Sequence, residues 1–349
     1  MADVDMDRRM TSAEDPGADR VATRPADGGD ASPAIQAETT STMNARPRHV
    51  EVDWSQFDPW RIQAVRHRLQ DHPLLQPDQL VELGKRLEAD GRVRTHSSNA
   101  EPGTPFNAAP RLHPNRRSAT ETLQQIRDAK AWMSLLNVQS DPIYRTLVDD
   151  VLDELKVDID RTDPGMCYRG GWIFVTSPNT VTPFHFDKEH NFILQVRGTK
   201  RIYVWDHRDT VAASEEARDR FHSSHERDLL VWSDALRERA RVFDMQPGDG
   251  AYMPSTSPHL VENGNEPSIT MSFTYYTDAT RRDSLLHKAH DRLRRRFGIS
   301  LPPVGQNGAL DALVHGGCSA LMRTYLLARR LAGRKTYPDD APYAFANVY

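Results

Sequence analysis

The sequence predicts a mainly β core, an antiparallel sandwich or barrel, with α-helices before and after it. Three observations carry this. Between Gly170 and Tyr276 lie short runs rich in β-branched and aromatic residues: Trp172–Thr176, Phe192–Val196, Arg201–Trp205, Ala251–Met253 and Ile269–Tyr276. Gly, Pro, Asn or Asp separate many of them, with no helical pattern between, whereas a parallel sheet needs crossover helices. On both sides of this region apolar residues recur at the helical period instead.

Taken in order, residues 1–48 are rich in Ala, Asp, Ser, Thr, Pro and Gly and nearly free of aromatics. Such a segment buries too little apolar surface to offset its chain entropy, so a disordered tail is expected. Trp54, Phe57 and Trp60 open the ordered part as an aromatic cluster. Asp58–Leu69 reads as an amphipathic helix with Pro59 in its first turn and Pro73 beyond its end. Pro77–Leu87 repeats that logic, with Leu80, Leu83 and Leu87 on one face. Residues 97–117 are polar and rich in Pro, Asn and Gly, and read as a long loop. Thr120–Lys130 and Pro142–Leu155 look helical, with a short strand in Trp132–Val138. After the strand-rich region, Arg281–Phe297 and Leu310–Leu331 are helices divided by Ile299–Pro303. The expected organisation is therefore a tail (1–48), a helical segment and loop (49–117), a core (118–280) and a helical extension (281–349).

Composition narrows the function. A chain of 349 residues can bury a sizeable core without metal or disulfide support. Two cysteines, Cys167 and Cys318, exclude a disulfide-rich scaffold and a cysteine zinc site, and fit a reducing cytoplasm. The acidic start has no apolar run behind it, and no stretch approaches the length of a membrane span, so neither a secretory signal nor a membrane partner is expected. Residues 281–335 hold twelve Lys/Arg against three Asp/Glu, a local +9 that leaves −13 elsewhere. At a net charge of −4, this reads as a solvated or ion-pairing helix face rather than a nucleic-acid surface.

The chemistry concentrates in Thr182-Pro183-Phe184-His185-Phe186-Asp187, followed by Asn191 and Arg197-Gly198-Thr199-Lys200. Residues two apart on a strand share a face, so His185 and Asp187 would present an imidazole and a carboxylate together. His259, 74 residues on, follows a Pro247–Gly250 turn and an Ala251–Met253 strand, and is the candidate third ligand. Two imidazoles and a carboxylate on one face of an iron leave the opposite positions open. A second His-x-Asp, His207-Arg208-Asp209, reads as an ordinary turn. Lys200 and Arg201 alternate, so only one can face the core. An inward ammonium would need a partner, and a dicarboxylate would supply one.

This constellation, with Pro247-Gly248-Asp249 before His259, resembles the JmjC/cupin-like iron(II)- and 2-oxoglutarate-dependent oxygenases. It is most similar to the asparaginyl-hydroxylase-like branch that includes factor inhibiting HIF. The resemblance covers roughly residues 118–280. It implies a double-stranded β-helix, or jelly roll, with Fe(II), 2-oxoglutarate as cosubstrate and dioxygen. It also implies that His185, Asp187 and His259 hold the iron, and that Lys200 and the Thr182 hydroxyl bind the distal carboxylate of 2-oxoglutarate. Asn191 would support the cosubstrate or the ligand loop. Thr274 falls where the branch has an Asn that touches the cosubstrate. A family Tyr on an early strand has no counterpart, since that region holds Trp132, Met133 and Ser134. The implied activity is hydroxylation of a protein or peptide side chain, with a small molecule as the alternative substrate. A homodimer through the C-terminal helices is a further implication, with Leu321, Tyr325 and Leu327–Leu331 as its stripe; packing on the chain's own sheet is the other use of that stripe. Two rival readings are a cupin that binds metal without a cosubstrate, and a non-catalytic binding module.

Overall fold

The computed structural model describes residues 48–333. The tail expected over 1–48 thus lies, but for its last residue, outside the described residues. Twelve strands form two sheets: β1 (Val50–Glu51), β2 (Gln63–His67), β3 (Val93–Ser97), β4 (Ala131–Leu135), β5 (Cys167–Thr176), β6 (Val181–His185), β7 (His190–Arg197), β8 (Lys200–Val204), β9 (Arg241–Met245), β10 (Asp249–Met253), β11 (His259–Asn263) and β12 (Ser268–Tyr276). The large sheet runs β1-β2-β10-β7-β12-β5-β4-β3 and the small one β6-β11-β8-β9, with every pairing antiparallel. This is the expected sandwich.

Period-two alternation sorts the large sheet into two faces. Met133, Leu135, Ile173, Val175, Leu194, Met271 and Phe273 form one apolar cluster with the helices α1 (Pro77–Ala89) and α4 (Pro142–Ile159). Gly171 is required there, because a Cβ would sit 2.6 Å from Val148 of α4 and 2.9 Å from Met271. The alternate residues Trp132, Ser134, Thr176, Asn191, Ser272 and Thr274 consequently face the small sheet. Ile193, Ala251 and Met253 of the large sheet meet Ile202, Val204, Met245 and Val261 of the small one in a second cluster, which closes the sandwich.

Several local expectations are corrected. Asp58–Leu69 is a turn followed by β2, not a helix. Val65 and His67 are buried while Ala64 and Arg66 are exposed, so pairing with β10 imposes a period of two on an ambiguous apolar pattern. The segment 49–117 accordingly supplies three strands to the large sheet besides its helix. Residues 97–117 contain short helical turns at Phe106–Ala108 and in α2 (Ala109–Leu112). The helix expected over Thr120–Lys130 is α3 (Ala119–Gln124), started by a Ser118–Glu121 capping box. The expectation of no helix between the strands is also corrected, since the polar α5 (Glu215–Ser224) lies between β8 and β9, and the edge strand β9 had no sequence expectation. Further on, α6 (Asp278–Phe297) and α7 (Gly308–Leu331) match their expectations. Among the described residues, no helix is long and apolar enough to cross a membrane.

Candidate active site

The sheets bring His185, Asp187 and His259 together. His185 ends β6 and pairs directly with His259, the first residue of β11, while Asp187 lies two residues past the strand. His185 Nε2 is 3.6 Å and His259 Nε2 3.8 Å from the same Asp187 oxygen, Oδ2. One ligand atom from each lies within 4.8 Å of the others, and among the described residues no other group of His, Cys, Asp and Glu does this. His207 sits in a turn beside Trp60, ring centroids 5.0 Å apart, and is no part of the cluster.

Each donor is aimed. His185 Nδ1 is 2.8 Å from the Pro183 carbonyl and His259 Nδ1 is 3.1 Å from the Ser257 carbonyl. A carbonyl only accepts, so both rings carry their proton on Nδ1 and leave the Nε2 lone pairs free. Burial, reinforced for His185 by its His259 neighbour, pushes both imidazoles below their ordinary value and keeps them neutral, with Asp187 partly opposing. Burial would raise the Asp187 carboxyl, but His185, Arg227 and His259 outweigh it and hold it at about 2. The site thus offers two neutral imidazole nitrogens and one carboxylate, a donor set that suits a divalent transition metal.

Residues without a sequence signal complete the site. Arg227, after α5, donates from Nη2 to Asp187 Oδ1 at 2.8 Å and from Nε to the Phe186 carbonyl at 2.9 Å. That occupies one carboxylate oxygen and leaves Oδ2 for the imidazoles' side. Its Nη1 donates to Asn107 at 2.8 Å, tying the 97–117 segment to the triad. From that segment the Phe106 ring stacks on His185, centroids 3.8 Å apart and nearly parallel. Arg94 lies over Phe106 at 4.2 Å and donates to its carbonyl.

The remaining expected residues line the space between the sheets. The β7–β8 turn uses Gly198 at φ +72°, where a Cβ would meet the Pro267 carbonyl at 2.5 Å. That turn sets Lys200 inward, on the face of Ile202 and Val204, while Arg201 points out to Asp244 at 2.6 Å. Among the described residues Lys200 is buried without a hydrogen-bonded or ionic partner, and burial alone lowers its ammonium to about 7. Thr182 lies opposite Val261, and a register shift between β6 and β11 lets Thr182 and His185, three apart, both face inward. The Thr182 hydroxyl accepts from Trp132 Nε1 at 2.8 Å, which leaves its own proton to donate. Thr274 pairs with Asn191 across β12–β7 and accepts from Trp172 Nε1 at 3.1 Å. Asn191 Oδ1 and the Ser134, Thr176 and Ser272 hydroxyls are buried without hydrogen-bond partners among the described residues. An unpaired ammonium and orphaned polar atoms on one inner lining are what a polar guest would satisfy.

Residues 48–281 match the sequence profile of the cupin-like domain family. The chain belongs to this cupin-like family. Its fold agrees with that of cupin-like proteins, a jelly-roll sandwich with helices around it. Solved structures with a likeness to this cupin-like chain include the ribosomal oxygenase YcfD of Escherichia coli in complex with cobalt and 2-oxoglutarate. That match has 15% identity and a TM-score of 0.40, and covers 75% of this chain and 61% of that one. Another structure of E. coli ycfD gives 15% identity and a TM-score of 0.42, over 78% and 68% of the two chains. The DMSP lyase DddQ of Ruegeria pomeroyi gives 12% and 0.21, over 31% and 39%. This chain therefore spans about three fifths of the length of the first of them. No curated protein sequence matches it significantly.

Proposed function

We propose that this cupin-like protein is an iron(II)- and 2-oxoglutarate-dependent dioxygenase that hydroxylates a side chain of a protein or peptide. The observation that supports it best is the combination of an aimed His-Asp-His donor set with a buried, unpartnered Lys200 between the same two sheets. A cupin that binds metal alone has no use for that ammonium.

In this reading His185 Nε2, Asp187 Oδ2 and His259 Nε2 hold the metal on one face. Arg227 fixes the Asp187 carboxylate so that one oxygen is presented. Lys200 pairs with the distal carboxylate of 2-oxoglutarate, and the Thr182 hydroxyl donates to it with Trp132 holding the oxygen in place. Asn191 and Thr274 flank the cosubstrate. Iron(II) with 2-oxoglutarate and dioxygen supplies oxidative decarboxylation to succinate coupled to hydroxylation. The apolar cluster of Ile193, Met253, Ile202, Val204 and Val261 packs between the sheets beside this lining.

The polypeptide substrate rests on the motif's resemblance to the asparaginyl-hydroxylase-like branch. A small molecule is the alternative, and Phe106 stacked on His185 favours it by narrowing the space over the triad. The exposed face of α7, with Leu313, Leu321, Tyr325, Leu327 and Leu331, is proposed as a homodimer surface. The test of the activity is succinate release from 2-oxoglutarate by the iron-loaded protein, compared with His185→Ala. Equal release by the two proteins refutes the ligand assignment. Mass spectrometry of peptides and metabolites for a product one oxygen atom heavier, absent with His185→Ala, then separates the two substrate classes.

A further inference from the structure

A second cavity, of about 210 Å³, lies behind Asp187, and none of its lining belongs to the site above. Thr256 forms part of its wall and donates its backbone N–H to the Asp187 carbonyl at 2.8 Å. Thr256 is held at φ +58°, a left-handed conformation that β-branched residues avoid and that persists where the surroundings impose it.

The charged lining is unbalanced. Arg208, Arg218 and Arg282 face the cavity against two carboxylates, Glu215 and Asp283. Both carboxylates are already engaged, Glu215 with Arg218 at 3.1 Å and Asp283 with Arg282 at 3.6 Å. Arg218 is 2% exposed and donates to the Ala213 and Asp209 carbonyls as well, yet its Nε has no acceptor among the described residues. The Arg208 guanidinium makes no hydrogen bond or ion pair among the described residues, and its Nη2 lies near Gly305, at φ +87°, on the cavity rim. Buried His207 Nδ1 also makes no hydrogen bond among the described residues, with the Asp206 carboxylate at 3.5 Å. Around the same space there is spare donor capacity and, among the lining side chains, one guanidinium more than the carboxylates; buried Asp311 lies behind the rim and accepts the Gly305 N–H.

We propose that this cavity is a binding site for a small oxyanion, a carboxylate or phosphate group, held by Arg208, Arg218 and Arg282 with His207 at its edge. Guanidinium forks match the paired oxygens of such groups. The inference stands independently of the proposed dioxygenase activity, because it uses neither the metal ligands nor Lys200.

The test is calorimetry on the metal-free, full-length protein with inorganic phosphate and with acetate. Arg208→Gln, Arg282→Gln and Lys200→Met are run beside the wild type. The two arginines are partly exposed, so these variants keep the fold, and circular dichroism verifies it. A saturable site that persists in Lys200→Met is expected in the wild type, and it is weakened about tenfold or more in each arginine variant. Preference between phosphate and acetate then tells which kind of oxyanion the site takes. Saturation by neither ion at millimolar concentration, unchanged affinity in both arginine variants, or loss of the site in Lys200→Met overturns the proposal.

Discussion

With Lys200 placed against 2-oxoglutarate as proposed, cosubstrate binding is coupled to the solution's proton supply, and the coupling has a size. Burial without a partner lowers its ammonium from 10.5 to about 7. At pH 8 roughly nine tenths of the free protein therefore carries a neutral Lys200. Pairing with a carboxylate favours the charged form and returns the pKa toward its ordinary value. Binding 2-oxoglutarate should then take up about 0.9 proton at pH 8 but only about 0.1 at pH 6. Titrating 2-oxoglutarate into metal-loaded protein in buffers of different ionisation enthalpy measures this number directly. Lys200→Arg, charged throughout, should bind without the uptake, and Lys200→Met should not bind. Binding in the wild type at pH 8 with no proton uptake refutes the placement of Lys200 against the cosubstrate. The same group acts on stability. Its folded-state pKa lies below the unfolded value, so the unfolded chain holds more protons between pH 7 and 10.5, and stability rises with pH across that window. The penalty is complete below pH 7. Lys200→Met removes it, and the metal-free variant should be more stable at pH 7 by roughly 3–5 kcal/mol, visible as a higher melting temperature.

Other expectations follow from the same geometry. Asp187→Glu keeps the charge but lengthens the arm, and should lose most succinate production while the far-ultraviolet circular dichroism stays unchanged. Arg227→Met frees Asp187 Oδ1 and should weaken cobalt(II) binding about 10–100-fold, read from the metal's visible absorption. Gly171→Ala forces a methyl against Val148, Val138 and Met271 and should cost about 1–3 kcal/mol in urea unfolding. Leu321→Glu on the exposed face of α7 should convert a dimer to a monomer in sedimentation velocity without a change in melting temperature, because that side chain is 73% exposed.

The helical period of α1, α4, α6 and α7 and the β-branched runs of β5, β7, β8, β10 and β12 were legible because they record which face is apolar. Asp58–Leu69 was misread because Val65 and Leu69 fit a helical face as well as they fit a strand and its continuation. The pairing of β2 with β10 decides the matter, and no local pattern encodes that partner. The polar α5 buries mostly polar side chains, Arg218, Asp219 and His222 beside Ala217 and Phe221, and the edge strand β9 buries only Met245, so neither carries an apolar signal.

The same division runs through the site. His185, Asp187 and His259 were readable as a candidate donor set from residue type, spacing and the turn before β10. Convergence itself needed β6 to pair with β11, which sets His185 opposite His259 across a long-range ladder. Alternation showed that Lys200 and Arg201 point opposite ways but not which points in. The Gly198 turn and the ladders to β9 and β11 chose Lys200. A strict period of two sets Thr182 and His185 on opposite faces, and only the irregular register against β11 unites them. Arg227 and Phe106 had no sequence signal, and Trp132 was read only as part of a short strand lacking the family Tyr. They reach Asp187, His185 and Thr182 across 40, 79 and 50 residues of chain, and the contact exists only once the segments pack. Sequence alone determined which side chains could bind metal and which faces had to be buried, because chemistry and period are local properties. The tertiary structure decided which of them meet, because that depends on strand pairings between residues far apart in the chain.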